Sequence, residues 1–328
     1  MSMSAPPDHE IDQRGLLTAL VADGRPLLLF TGLSLLLSGA FALFLAATGH
    51  FLPHDIEFLG MLPEQLCEIN ECRIVHFMIH DRVSFGGALI AIGSLYMWLA
   101  EFPLRARQPW AWWLFLVSGL LGFGSFLAYL GYGYLDTWHG AATLGLLPCF
   151  GIGLARSYRT LPANSSPRRL LQPAAIRWRS RYGCGRLLLL AASLGMVGAG
   201  STIMLVGMTT VFVPQDLDFM GMTYQQVEAV NPRLVPLIAH DRAGFGGGVA
   251  CGGVILLFCV WCAPPSRSLW QVLLLAGFAG FSTAIGIHPA IGYTDTLHLA
   301  PAVLGAILYA TGLALTWKPD PLARLQVS

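Results

Sequence analysis

Eight long apolar stretches dominate the chain and restrict what it can fold into. Each is long enough to cross about 30 Å of hydrocarbon as a helix. They begin near Pro26, Phe77, Ala111, Asp136, Leu187, Leu237, Leu269 and Leu297. Only 11% of the residues are charged, against roughly 25% in an average soluble domain. We therefore predict an all-α integral membrane protein with eight transmembrane helices, whose partner is the lipid bilayer.

The positions of the arginines predict how the chain sits in the membrane. Lys318 is the only lysine, so arginine marks the cytoplasmic side, whose loops are enriched in positive charge. An even number of spans places both termini on that side, together with a dense basic segment between the fourth and fifth spans. The other side has only Arg73, Arg82, Arg233 and Arg242. We predict an inner (plasma) membrane protein with both termini in the cytoplasm and no nucleic-acid partner.

The chain also contains an internal duplication. Residues 51–61 recur at 212–222, residues 80–87 at 240–247, and residues 133–139 at 292–298. Each copy holds an even number of spans, so the two copies form a parallel repeat with the same orientation. Short connections between spans predict a four-helix bundle in each copy. The glycines that follow each His-Asp-Arg motif predict close helix packing.

This duplication divides the chain into five segments. They are an N-terminal cytoplasmic tail (1–25), a first four-helix unit (26–157), a basic cytoplasmic linker (158–186), a second four-helix unit (187–317) and a C-terminal tail (318–328). The outer loops 61–76 and 222–236 have a weak amphipathic pattern, which predicts short helices that cap each bundle.

Ionisable residues near the span ends are the candidate site residues, because charge in a membrane usually faces a partner or a cavity. Two interpretations stay open for the aspartates. Those that precede a span can cap a helix or serve in a site, and those beside an arginine can neutralise it or pair across helices. The set comprises His80, Asp81, Arg82, Asp136 and His139 in the first unit, and His240, Asp241, Arg242, Asp295 and His298 in the second.

The four repeated histidines lie at similar depth on alternating spans. Two imidazoles on facing helices of a bundle can hold a haem from opposite sides. Its propionates would then meet Arg82, Arg242, Arg73 or Arg233. Another metal, or a purely structural hydrogen-bond cluster, is the alternative. His76 could join His80 on a metal, but the second unit has Pro236 at that position. His288 has no histidine counterpart in the first unit.

A cysteine pair distinguishes the first unit from the second. Cys67 and Cys72 lie in its outer loop, where a disulfide can persist, and both a disulfide and free thiols remain open. The chain resembles the haem A synthase family in this cysteine pair, its eight spans, its two parallel units and the histidine near the outer end of each even-numbered span. The segments His80-x-Arg82 and His240-x-Arg242, each followed by two glycines, are similar to the His-Arg-x-x-Gly segments of that family.

The resemblance implies haem b held by His240 and His298, with haem o as a substrate near His80 and His139. Asp81 and Asp136 join the latter two as candidate catalytic residues. The leading prediction is therefore a haem-binding membrane oxidoreductase that acts at the outer face, with an electron donor or haem-delivery protein that the sequence does not identify.

Two other functions compete with this prediction. One is a haem-free transporter or assembly factor whose duplicated clusters bind an ion or a polar ligand. The other is a metal-dependent hydrolase, ranked lowest because neither unit supplies a clear third histidine.

Overall fold

The computed structural model describes residues 15, 21–127, 133–134 and 136–318, and this part of the chain contains twelve α-helices and no strand. The first half comprises α1 (Arg25–Thr48), α2 (Pro53–Leu59), α3 (Pro63–Ile69), α4 (Arg73–Leu99), α5 (Pro109–Leu127) and α6 (Thr137–Tyr158). The second half comprises α7 (Arg181–Met208), α8 (Pro214–Met220), α9 (Tyr224–Val230), α10 (Leu234–Cys262), α11 (Arg267–Ile291) and α12 (Thr296–Thr316). A π-helical turn, Ala100–Leu104, continues α4, and a 3₁₀ turn, Pro167–Leu171, lies in the linker.

Seven of the described helices are long and apolar enough to cross a membrane: α1, α4 with its π turn, α6, α7, α10, α11 and α12. The third predicted span coincides with α5, which runs to the edge of the described residues. On α1 the side chains of Phe30, Leu37 and Phe44 are each more than half exposed, which suits a surface in contact with lipid. The helical class is confirmed, while the count of eight spans stays a prediction.

Two different signals start the helices at the end of the bundle where the histidines lie. Asp136 and Asp295 cap α6 and α12, because each side chain accepts a hydrogen bond from the backbone N–H three residues later, at 2.8 and 2.7 Å. Proline opens α2, α3 and α8, where a missing N–H costs nothing. The capping interpretation of both aspartates and the short helices expected in 61–76 and 222–236 are thus confirmed.

The helices α4 and α10 form the centre of the molecule, since most of their residues are buried while the other five spans are mainly exposed. Each central helix packs against helices from both halves. The neighbours of α4 are chiefly α1 and α11, those of α10 are chiefly α7 and then α4 itself, and α5 also packs on α10. The third long helix of each half therefore packs on the central helix of the other half: α5 on α10, and α11 on α4. The expected division into two separate bundles is not confirmed.

The paired glycines of the repeat explain this interlocking. A Cβ at Gly87 would lie 2.7 Å from the carbonyl oxygen of Ala279 on α11. The preceding Gly86 instead packs closely against α1. In the second half a Cβ at Gly247 would meet Ser125 of α5, and the glycine before it backs onto α7. One glycine of each pair admits a helix of its own half, and the next admits a helix of the other half.

Reciprocal hydrogen bonds join the halves at the end that carries α2, α3, α8 and α9, which we call the histidine end. The side-chain amide of Asn70 donates to the carbonyl of Met220 at 2.7 Å, and that of Asn231 donates to Leu59 at 2.8 Å. The opposite end, which holds the basic linker, is called the arginine end. Most of the N-terminal tail and the C-terminal tail beyond Lys318 lie outside the described residues.

Candidate metal centres

Three histidines from three helices meet at the histidine end and form cluster A. His80 comes from α4, His288 from α11 and His298 from α12, and one ring nitrogen of each lies within 4.8 Å of the other two. The Nε2 atoms of His80 and His288 are 3.2 Å apart. Both of these side chains are buried, at 3% and 4% exposure. Three imidazoles in this arrangement can bind a transition-metal ion and leave a fourth position open.

Hydrogen bonds orient two of these rings. The Nδ1 atom of His80 lies 2.9 Å from Asp81 Oδ1, and the Nδ1 atom of His298 lies 3.1 Å from the hydroxyl of Tyr293. That hydroxyl donates to Asp216 at 2.9 Å. Burial, and next the Asp216 carboxylate, raise the pKa of Tyr293, so its hydroxyl keeps its proton. The pattern assigns a proton to Nδ1 of both rings and leaves Nε2 free to bind, as second-shell groups do in metal sites.

A second group, cluster B, combines a carboxylate with two imidazoles. The Nδ1 atom of His139 lies 2.7 Å from Asp136 Oδ2 and 3.2 Å from Nε2 of His240. The same Oδ2 lies 3.7 Å from His240 Nε2. The other oxygen of Asp136 lies 3.1 Å from Nε2 of His54 on α2. Burial alone would raise the pKa of Asp136, but the hydrogen bonds and charge of His139 outweigh it and hold that pKa below its usual range.

A pocket with a volume of about 70 Å³ adjoins cluster B and is partly open to the surroundings. Its lining is apolar where α1, Ile79 and Phe85 contribute, and polar where His139, His240 and Arg82 contribute. The side chain of His139 is 36% exposed, so cluster B can be reached from this pocket. This volume has room for a ligand of only a few atoms, since one water needs roughly 10–15 Å³ by the same measure.

The repeated arginines pair across the halves. Arg82 bonds Asp241 at 2.7 Å and Asp55 at 2.8 Å. In the matching network Arg242 bonds Asp216 and lies 3.5 Å from Asp81. The hydroxyl of Tyr134 donates to Asp55 as that of Tyr293 donates to Asp216. The open question about Asp81 and Asp241 is thereby answered, because each pairs with the arginine of the other half.

The repeated histidines are brought together, but in a different pairing from the one that the resemblance implied. His80 groups with His298, and His139 groups with His240. The expected partners His240 and His298 lie in different clusters, as do His80 and His139. The physical reason is the interlocking of the halves, which packs α11 and α12 of the second half around the first His-Asp-Arg motif. Asp295 serves only as a cap among the contacts described.

Several site residues were missed at the sequence level. Asp55 and Asp216, and likewise Tyr134 and Tyr293, occur at matching positions of the repeat, so the duplication contained the signal for them. No such signal exists for His288, which the sequence sets aside because it lacks a counterpart. The low rank given to a metal-dependent hydrolase rested on a missing third histidine in each unit, and His288 supplies one to cluster A. His76 belongs to neither cluster.

The donor sets can be tested against haem. Two imidazoles on opposite sides of one iron stand about 4 Å apart, given metal–nitrogen bonds of about 2.0 Å. The facing nitrogens of His139 and His240 are 3.2 Å apart, and Asp136 Oδ2 shares the same small space. Three donors around a tetrahedral ion stand about 3.3 Å from one another at the same bond length. The distances therefore fit an ion better than a haem.

The cysteines of the first outer loop are joined. Cys67 and Cys72 form a disulfide that links the end of α3 to the start of α4. The remaining described cysteines are free thiols, and three of the five are buried. None of them belongs to either cluster.

The fold and these clusters define a class: an all-helical protein with apolar, membrane-length helices and two His-containing clusters at one end. No family model, no curated protein and no solved structure matches the chain. The resemblance to the haem A synthase family therefore remains a prediction.

Proposed function

We propose that the chain is an integral membrane metalloenzyme that binds transition-metal ions in clusters A and B. The observation that carries the proposal is the convergence of three ligand atoms in each cluster, all within 4.8 Å. Imidazole is a common ligand of zinc, copper, iron and nickel, so the ligands alone do not select one of these metals. Haem-free metal chemistry thereby rises above the haem-based function that the sequence favoured.

The two clusters are suited to different roles. Cluster A is formed from three imidazoles, two of them buried, and its first ligand is supported by Asp81, as in sites that hold a metal firmly. Cluster B has two imidazoles and one carboxylate, a set used by non-haem iron enzymes and by zinc enzymes that keep coordination positions open. The pocket beside His139 supplies the space for a substrate. We assign the reaction to cluster B.

The pocket also suggests what kind of substrate reacts there. Its α1 wall consists of small and aliphatic side chains, and α1 presents its other apolar residues to the surroundings. The polar wall holds Arg82, Asp241 and the cluster itself. A small molecule with an apolar part and one polar end suits this mixed lining. The excess of arginine at the arginine end favours an outer-leaflet position for this site.

Metal analysis of the purified full-length protein tests the proposal. We expect bound transition metal in the wild type, a loss of one ion in His288→Ala and a loss of the other in His139→Ala. His76→Ala is the matched control, because His76 lies on α4 outside both clusters, and it should retain both ions. A wild-type protein that takes up no metal after loading with zinc, copper or iron would refute the proposal.

A haem-binding membrane oxidoreductase is the second candidate, and it is favoured by the resemblance of the sequence to the haem A synthase family. Arg82, which lines the pocket beside cluster B, would then face a propionate. A visible spectrum separates the two candidates. A Soret band that is lost in both His139→Ala and His240→Ala would support haem, whereas a colourless protein that binds zinc at cluster B would exclude it.

A further inference from the structure

The linker between the two halves presents a basic surface at the arginine end. Residues 156–181 contain seven exposed arginines and no acidic residue. The seven are Arg156, Arg159, Arg168, Arg169, Arg177, Arg179 and Arg181. In the part of the chain that the structure describes, the side chains of Arg159, Arg168 and Arg179 make no hydrogen bond or ion pair. These three cations are therefore available to a partner outside the chain.

Contacts with the helices hold the linker against the end of the bundle. The indole N–H of Trp113 on α5 donates to the carbonyl of Ser165 at 3.0 Å, and the backbone N–H of Ala174 donates to the carbonyl of Trp261 on α10 at 2.8 Å. The rings of Trp178 and Trp261 pack with their centroids 5.5 Å apart. The arginines consequently belong to one surface with a defined position. Arginines that only set the orientation of the chain need no such surface.

The arginine end also collects the tryptophans. Eight of the nine lie there, near helix ends or in the linker, and the ninth, Trp138, lies at the histidine end. The eight are Trp98, Trp110, Trp112, Trp113, Trp178, Trp261, Trp270 and Trp317. Tryptophan is enriched where lipid headgroups meet the hydrocarbon. Because three of these tryptophans hold the linker, its arginines lie at the level of the headgroups.

The two ends of the molecule differ in charge. Among the described residues of the histidine end, the exposed arginines are Arg73 and Arg233. Six exposed acids accompany them there: Glu57, Glu64, Glu68, Glu71, Asp218 and Glu228. An anionic membrane surface is therefore attracted to the linker and not to the opposite end.

We propose that residues 156–181 bind the headgroups of acidic phospholipids in the adjacent leaflet. The charge of the surface is complementary to these headgroups, and its position beside the tryptophans brings the two into contact. Between the arginines the side chains of Leu171 and Tyr158 are 72% and 49% exposed, and both can enter the acyl region below the headgroups. An acidic protein would match the charge but would make no use of this level in the membrane. The proposal is independent of clusters A and B.

Spin-labelled lipids test the proposal in bilayers. The full-length protein is reconstituted in phosphatidylcholine with a trace of spin-labelled phosphatidylglycerol or phosphatidylcholine, and electron paramagnetic resonance gives the immobilised fraction of each label. One arginine near an anionic headgroup corresponds to about fivefold in association, so the wild type should prefer phosphatidylglycerol by on the order of fivefold. The variant Arg159→Gln/Arg168→Gln/Arg179→Gln should lose most of this preference. Salt at about 1 M should remove it from the wild type, because charges are then screened beyond about 3 Å.

Two control variants separate charge from other effects. Arg159→Lys/Arg168→Lys/Arg179→Lys keeps the charge and should keep most of the preference. Arg73→Gln/Arg233→Gln removes the two exposed arginines of the histidine end and should leave the preference unchanged, because acids already outnumber arginines there.

The test does not depend on the variants alone, since the salt series uses the unaltered protein and decides the outcome if the glutamine variant fails to fold. Equal immobilisation of the two labels by the wild type, or an equal preference in the folded glutamine variant, would overturn the proposal. An acidic protein partner predicts that second result.

Discussion

Replacement of Arg242 by glutamine should destabilise the protein far more than loss of an arginine from the surface. Arg242 is 4% exposed, and its partners Asp216 and Asp81 are 0% and 1% exposed. Glutamine has a similar size but no charge, so both carboxylates would be left buried without a cation. Breaking one side of a buried ion pair typically costs 3–5 kcal/mol. We expect a loss of about 3–5 kcal/mol in the free energy of unfolding for Arg242→Gln.

The matched control is Arg73→Gln. Arg73 also pairs with a carboxylate, that of Glu71 at 3.3 Å, but the two side chains are 44% and 83% exposed. Pairs in contact with water contribute about 0–1 kcal/mol. The free energy of unfolding is measured for both variants by denaturant titration in mixed micelles, with tryptophan fluorescence as the signal. The predicted difference between the two arginines is therefore at least about 2 kcal/mol.

A double variant tests whether Arg242 and Asp216 stabilise each other. In Arg242→Gln with Asp216→Asn, one of the stranded carboxylates is removed, so the combined loss should be smaller than the sum of the two single losses. The reasoning is refuted if Arg242→Gln costs no more than Arg73→Gln, or if the double variant is strictly additive.

Three further predictions concern packing, metal affinity and capping. Gly87→Ala should lower the free energy of unfolding by about 1–3 kcal/mol, because its Cβ would meet the backbone of α11. Gly280→Ala, where no neighbouring atom lies within 4 Å of the added Cβ, should be neutral or slightly stabilising. Thermal unfolding of both variants measures the difference. Tyr293→Phe should weaken metal binding at cluster A by about 10–100-fold in chelator competition, because His298 loses its orienting hydroxyl; unchanged affinity would contradict that role. Asp295→Ala should cost about 1 kcal/mol through loss of the α12 cap and leave the metal content unchanged, and a loss of metal would show that Asp295 is a ligand.

Much of this architecture could be predicted from local sequence. Apolar length predicted where helices run, and the position of Asp136 and Asp295 before apolar runs gave capping as one of two interpretations. The repeat predicted which positions correspond between halves. It did not predict which helices pack together, because Gly86 and Gly87 are adjacent in sequence and differ only in the neighbour that each one faces. That choice depends on the whole set of helix contacts and not on any one segment.

The same limit explains the errors at the site. Pairing within each half was the natural expectation from sequence order, and it separates His80 from His298. The symmetry of the repeat also led to His288 being set aside, since a residue without a counterpart looks incidental. In three dimensions it completes the cluster that the repeated histidines begin. The unmatched residues of a duplicated protein are thus where the two halves acquire different chemistry.

The reciprocal packing of α5 and α11 makes both clusters depend on both halves of the chain. Cluster A takes His80 from one copy and its other two members from the second copy, and cluster B takes His240 from the second copy and its other members from the first. Neither copy alone could assemble either group of ligands. Two identical subunits would carry two identical clusters, whereas the two copies within one chain carry different ones, since His288 belongs to cluster A alone.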